Sequence, residues 1–353
     1  MLIYLMAYGI ITLMGCIVLG KCVTSNRKKL FCCFAFMILA FLECLRHETI
    51  GEDTIAYINW FRIMSEKGWK NSFIDLGFYV EPGYKIVNLL IIEITKNERV
   101  LLIVTSILIL GLHILYLKQR SKNIVISILL FIGCNFFLTS MTSIRQFIAM
   151  GIVFWIDPYM EKRKYGIVIL LMIFAYMFHH SSLLFTMCFV FFWIVGNKTK
   201  NIKWIVLLEG ISLVVFPVVL KFLLKVFPKY IFYFQYGEEA QLGKLREVYI
   251  LIDIILIVWY CLSEHVHSRK NTVFAMLLSV SAYIGVLNQY VPHIFRLGYY
   301  FDYFLLLIIP ELICKLNARN SLITKFIVYN ANTALFLYYL ATNAATTVPY
   351  RLM

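Results

Sequence analysis

An all-α, polytopic transmembrane helix bundle is the fold class that the sequence predicts, and three observations predict it. The 353 residues are 61% hydrophobic and 16% aromatic, with a mean hydropathy of +0.81, whereas ordinary soluble domains are about 45–50% apolar. Apolar runs of roughly 15 to 25 residues recur along the whole chain, close to the ~20 residues a helix needs to cross the hydrocarbon layer. A bilayer cannot hydrogen-bond an exposed backbone, so helices are the expected way to span it.

Taken in order, the expected spans lie near residues 2–20, 30–45, 100–117, 124–140, 144–160, 165–179, 183–197, 203–227, 248–264, 272–290, 296–316 and 321–341, about 12 in all. The first run has neither an upstream charged segment nor an A-x-A-like cleavage site and reads as a retained span. Residues 1–353 read as a single integral membrane domain, without internal repeat or low-complexity tract. Most of the cysteines, Cys32, Cys33, Cys134 and Cys188 among them, lie inside apolar runs, where packing accounts for them better than a disulfide or metal framework.

The placement of the +14 formal charge argues against nucleic acid. Six short links carry Lys21, Arg27, Lys28 and Lys29; Lys118, Arg120 and Lys122; Lys162, Arg163 and Lys164; Lys198, Lys200 and Lys203; Arg269 and Lys270; and Lys315, Arg319 and Lys325. Only Asp157, Glu161 and Glu264 oppose them, which is the cytoplasmic signature of the positive-inside rule. Both termini then face outward. Residues 84–95 are apolar but short, and a crossing there would turn the 118–122 link outward, so this segment reads as re-entrant or interfacial.

That topology gathers the remaining polar chemistry on the outer side. It holds the long segment 46–83 with Arg46, Asp53 and Glu81, the lip at Ser143, Arg145 and Gln146, the turn at His179 and His180, the loop 228–247, and the link with His293 and Arg296. Segment 46–83 is too long for a plain connection. Its stretch Ile55 to Met64 places Tyr57, Trp60, Phe61 and Met64 at helical spacing, which predicts an outer interfacial helix serving as an anchor or as a roof over a cavity. Segments 46–83 and 228–247 are the expected covers of the site.

Six motifs, in this order along the chain, carry a resemblance: RHETIGEDTIAY (46–57), EPGY (81–84), SIRQFIAMGI (143–152), FHHSSLLF (178–185), RLGYYF (296–301) and VPY (348–350). The set resembles the EpsG family of Wzy-like bacterial polysaccharide polymerases and covers almost the full chain. The resemblance implies a membrane glycosyltransferase of the bacterial cytoplasmic membrane, acting outward. Such proteins join undecaprenyl-diphosphate-linked oligosaccharide repeat units into exopolysaccharide, capsule or O-antigen. The lipid bilayer and other polysaccharide-assembly proteins would be its further partners. The family has a single histidine where this chain has two; matching His179 puts Ser181 at the family's serine position, and His180 stays open as the alternative.

Transfer from a lipid diphosphate needs positive charge on the departing group and a base for the incoming hydroxyl. Arginine suits the first task because its planar fork stays charged and binds phosphate oxygens bidentately. Arg46, Arg145 and Arg296 each stand at the outer end of an expected span, where arginine also commonly serves as an interfacial anchor. His179 is a candidate base, with Asp53 and Glu81 as carboxylate alternatives whose plainer role is to pair Arg46 or Arg62. Gln146, His180 and Tyr84 complete the candidate set for binding diphosphate or glycan.

The chain has no G-x-x-x-x-G-K-[ST] loop, no G-x-G-x-x-G after a strand, no D-x-D pair and no H-E-x-x-H, so neither a nucleotide cofactor nor a metal is expected. The rival readings are a transporter or flippase of lipid-linked sugars, a glycan ligase of similar architecture, and an acyltransferase with inverted topology. For the transporter, Glu43, Glu209, Asp253, Asp302 and Glu311 lie in or near apolar runs. Against it, no repeat relates the halves.

Overall fold

A computed structural model describes residues 1–19, 24–77, 79–196, 201–226, 244–291 and 293–352. These residues are helical almost throughout, with no strand among them beyond a lone bridge between Arg46 and Leu352. The helices are α1 (Leu2–Leu19), α2 (Ser25–Cys44), α3 (Thr54–Ile74), α4 (Pro82–Ile94), α5 (Glu98–Arg120), α6 (Ile124–Gly133), α7 (Phe136–Thr142), α8 (Ile144–Val153), α9 (Ile156–Glu161), α10 (Tyr165–Phe178), α11 (Ser182–Val195), α12 (Asn201–Val226), α13 (Lys244–Leu262), α14 (Arg269–Leu287), α15 (Phe295–Asp302), α16 (Leu305–Cys314) and α17 (Ala318–Thr342).

Each expected span coincides with a helix or a pair of helices. By length and composition α1, α5, α12, α14 and the α15–α16 segment could each cross a membrane alone, and α6 with α7 could form a sixth span bent by 51°. Three expected continuous spans are broken. Between α6 and α7 the break is at Asn135, whose φ of 68° is left-handed, a conformation Asn tolerates better than most residues. Between α8 and α9 it follows from Pro158, which has no N–H for the Phe154 carbonyl; the Asp157 amide takes that carbonyl instead, at 3.2 Å. Between α15 and α16 it is a tight turn, with Phe304 N on Phe301 O at 3.2 Å and Leu306 N on Tyr303 O at 3.1 Å.

The chain divides into two compact units, Met1–Leu184 with Leu322–Met353, and Phe185–Ser321. In the first unit α6, α7 and α8 form the center, with nearly every side chain buried. Large apolar side chains such as Leu13, Ile17, Phe41, Ile94 and Ile173 stay exposed on the outer helices, as lipid-facing positions do. Close approach and polar contacts bind such helices to one another where lipid is as apolar as leucine. Asn332 of α17 lies against Gly133, donates to Leu129 O at 2.8 Å and to the Tyr8 hydroxyl at 2.9 Å, and so joins α17 to α6 and α1. Near the basic links, Arg120 closes α5 onto α9 through Asp157 and Glu161, each at 2.6 Å.

The stretch expected to form an interfacial helix lies on α3, which is longer than that stretch and kinked at Gly68, where φ is 68°. Tyr57, Phe61 and Met64 are buried while Ile55 and Arg62 face out, which is the expected amphipathic division. The short apolar segment is α4, whose 13 residues reach about 20 Å at 1.5 Å per residue, short of the ~30 Å hydrocarbon thickness. Residues 228–243 of the expected outer loop, with Glu238 and Glu239, lie outside the described residues.

In the second unit Arg246 of α13 donates to Asp302 at 2.8 Å and to Ser281 O at 2.8 Å. Gly298 leaves room for this guanidinium, since a Cβ there would stand 3.1 Å from its Nη2. The suspected intramembrane acids find partners within their own units: Glu209 with Ser279 at 3.1 Å, Glu311 with Lys270 at 3.7 Å, and Glu43 with Arg46 at 4.0 Å. Asp253 is buried beside Asp302.

Candidate functional site

Three helix ends meet in the first unit. Helix α4 packs on α3 and α10, and α10 packs on α8, which brings together the start of α4, the start of α8 and the end of α10. The sequence Glu81-Pro82-Gly83 makes this possible. Pro82 occupies the first helical position, where its missing N–H costs nothing. At Gly83 a Cβ would lie 2.9 Å from Met177 O and 3.1 Å from Met177 Cβ, so only glycine lets α4 approach the last turn of α10 this closely. Helix α10 then stops at His179, which is extended (φ −160°, ψ 122°), and the Ser182 amide closes the turn on His179 O at 3.1 Å.

Glu81 is the hub of the group. It occupies the N-cap position of α4, where the helix dipole favors an anion, yet its side chain caps no backbone amide. One carboxylate oxygen accepts from Arg145 Nη1 and the other lies 3.1 Å from His179 Nδ1. The Glu81 side chain is 5% exposed, that of Arg145 20% and that of His179 29%, so the group opens through the imidazole. Burial pushes the Glu81 carboxyl up, but the His179 hydrogen bond and the Arg145 charge outweigh it and hold the group below its ordinary value. Arg145 lies on aromatic rings of α3, with its Cζ 4.8 Å from the Trp60 centroid and 5.7 Å from that of Tyr57, a placement worth about 0.5–2 kcal/mol. Tyr57 in turn packs on Tyr84 at 5.4 Å.

The arrangement can move a proton and hold an anion. With Nδ1–H given to Glu81, a neutral His179 ring presents Nε2 as an acceptor in a fixed direction. Arginine has five N–H donors in a rigid fork; Glu81 and the Tyr57 side chain take part of them and Nε is buried, which leaves the rest of the two Nη groups as donors for an oxyanion.

The structure thus brings together Glu81, Arg145 and His179. Other candidates are placed differently. His180 is exposed, its ring stacks on Tyr176 at 4.5 Å, and its Nε2 shares a 2.7 Å hydrogen bond with Tyr79. Asp53 precedes α3, half-buried one turn before Tyr57 and without a side-chain cap bond. Gln146 and Tyr84 are buried. Arg296 is exposed on the first turn of α15, in the second unit.

Arg46, expected at the outer end of a span, lies in the interior of the first unit. It is wholly buried, with Nη1 on Glu43 O at 2.5 Å and Ser106 at 3.1 Å, and Nη2 on Met141 O at 3.4 Å. The loop folds inward there because Gly51, at φ +90°, lies directly against Met141 O, where any Cβ would come within 2.8 Å. Residues 346–351 cover the same loop, with His47 N on Arg351 O at 2.9 Å and Gly51 N on Thr346 O at 3.1 Å. The guanidinium therefore knits the backbone together. Sequence reasoning did not assign Trp60 and Tyr57 to the site; their signal was the aromatic pair three residues apart on the amphipathic helix.

Apolar helices able to cross a bilayer, with ionizable side chains gathered at helix ends, define a multi-pass membrane protein. A model of the EpsG family matches residues 29–352, nearly the whole chain, and the chain belongs to that family. Membership points to a polysaccharide-polymerase-like membrane protein of the glycosyltransferase type. Neither the curated proteins nor the solved structures gave a match.

Proposed function

We propose that this protein joins undecaprenyl-diphosphate-linked oligosaccharide repeat units into exopolysaccharide, capsule or O-antigen, by glycosyl transfer at the outer face of the bacterial cytoplasmic membrane. The topology attached to this reading has about 12 crossings, counting broken and short helices as spans, with both termini outward and α3 lying over the site. The observation that supports it is the single carboxylate of Glu81 bridging Arg145 and His179.

In this reading His179 Nε2 accepts the proton of the acceptor hydroxyl as its oxygen attacks the anomeric carbon. The bond from that carbon to the diphosphate oxygen breaks, and its electron pair leaves with the diphosphate. Arg145 stabilizes the charge gathering there, and Glu81 keeps both partners in register. A diphosphate is already a good leaving group, so one base and one cation suffice without a second carboxylate acting as acid.

The test is extension of a synthetic undecaprenyl diphosphate oligosaccharide by purified protein in detergent. Long chains from the native protein, with single units from Arg145→Ala and His179→Ala proteins that insert normally, support the reading. Normal chain lengths from both variants would remove these residues from the mechanism. No extension by native protein would favor a transporter, and long chains accumulating on the carrier lipid when the protein is lost would favor a ligase.

A further inference from the structure

At the other end of the first unit lies a cavity of about 240 Å³ whose lining includes Gly15 and Cys16 of α1, Lys28 of α2, Lys122 and Val125 at the start of α6, and Lys325 of α17. Its cations come from three separate parts of the chain, and no carboxylate is among its lining residues. Its walls are built. A Cβ on Gly15 would stand 2.6 Å from Val125 Cγ1, so glycine lets α1 close against the first turn of α6 and form an apolar floor. The link carrying Lys122 is held by Ser121, whose hydroxyl accepts from Asn123 N at 3.0 Å and from Ser127 at 2.6 Å. Lys28 is half-buried and donates to Ser121 O at 3.3 Å. Burial, together with the charges of Lys118 and Lys122, holds its ammonium below the ordinary lysine value.

Three lysines lining one cavity with no acid among its lining residues repel one another, and an anion in their midst relieves that repulsion. An apolar floor beneath a cationic rim fits a ligand that is itself amphipathic. The geometry points to a binding site for a phosphate group in this cavity, held by Lys28, Lys122 and Lys325, with an anionic phospholipid headgroup as the source that the apolar floor favors. These lysines belong to the basic links that face the cytoplasm in the charge reading, so the lipid would come from the inner leaflet. The inference does not depend on the proposed catalysis.

Cys16 lines the cavity and is exposed, which makes it a reporter. The full chain with its other cysteines replaced by serine is placed in phosphatidylcholine nanodiscs, and maleimide labelling of Cys16 is timed. The arms are lipid alone, added phosphatidylglycerol, and added inorganic phosphate. Each basic contact to an anionic headgroup is worth about a fivefold in affinity, so protection by phosphatidylglycerol should disappear in the Lys28→Gln, Lys122→Gln, Lys325→Gln triple variant. Lysine-dependent protection by phosphatidylglycerol alone assigns a lipid headgroup, and protection by phosphate as well assigns a soluble phosphate source. Equal labelling in every arm, or protection that survives the triple substitution, overturns the site. Chain extension is not the readout, so this inference and the catalytic one fail separately.

Discussion

Replacing Glu81 by glutamine tests the site most sharply, because shape is kept and only charge and one acceptor are lost. Glu81 receives two charge-assisted contacts at 5% exposure, each worth about 1.5–3 kcal/mol against about 0.5–1.5 for a neutral bond. Glutamine has one carbonyl oxygen, and its NH2 group can donate to neither the guanidinium nor the Nδ1–H of the imidazole. One partner therefore loses its bond and the other keeps a weaker one, a deficit on the order of 3 kcal/mol. If alignment of His179 governs turnover, that deficit lowers the extension rate about a hundredfold. The assay is extension of a lipid-linked oligosaccharide by variant protein that purifies in native yield. A rate within about threefold of native would show that the carboxylate does not organize the catalytic group, and the mechanism built on it would fall.

Four further outcomes follow from the same geometry. Gly83→Val should push α4 off Met177, with an overpacking cost of about 1–3 kcal/mol seen as a lower melting temperature and lost extension; unchanged melting would contradict the close approach. The depressed Glu81 pKa stabilizes the fold above the ordinary carboxyl range and is lost as pH falls through the folded value. Native protein should therefore lose more thermal stability than Glu81→Gln between about pH 5 and pH 3, and parallel curves would refute the linkage. Arg46→Ala should reduce recovery of monodisperse protein, since the carbonyls of Glu43 and Met141 lose a buried donor; a well-folded but inactive variant would return Arg46 to the substrate. His180→Ala should cost far less extension than His179→Ala, and the reverse order would exchange their roles.

Much of the fold was legible because helix length and hydropathy are local properties. The expected spans fall on the observed helices, and the amphipathic stretch before Met64 falls on α3. The breaks inside spans were harder to read. Pro158 was visible, but a left-handed Asn135 depends on tertiary contacts that no periodicity records. For the site, helix ends on the expected outer face drew attention to Glu81, Arg145 and His179, and their meeting rests on Gly83, whose importance lies in a neighbor nearly a hundred residues away. Arg46 is expected at the outer end of a span, and a linear pattern does not show that Gly51 turns its loop inward. Trp60 and Tyr57 stand in the sequence only as part of a helix that anchors or roofs a cavity, because aromatic rings at helical spacing do not announce which cation will lie on them.

The first unit is discontinuous, with the second inserted between its parts. Its late portion supplies Thr346 and Arg351, whose carbonyls fix the loop that starts at Arg46, while the Tyr350 hydroxyl bonds Leu42 O at 3.0 Å. During synthesis this loop emerges early and must wait, without those partners, until all of the intervening unit has been made. Closure of this loop therefore waits on residues 346–351: a ribosome that stalls before them leaves a chain whose early loop still lacks those partners.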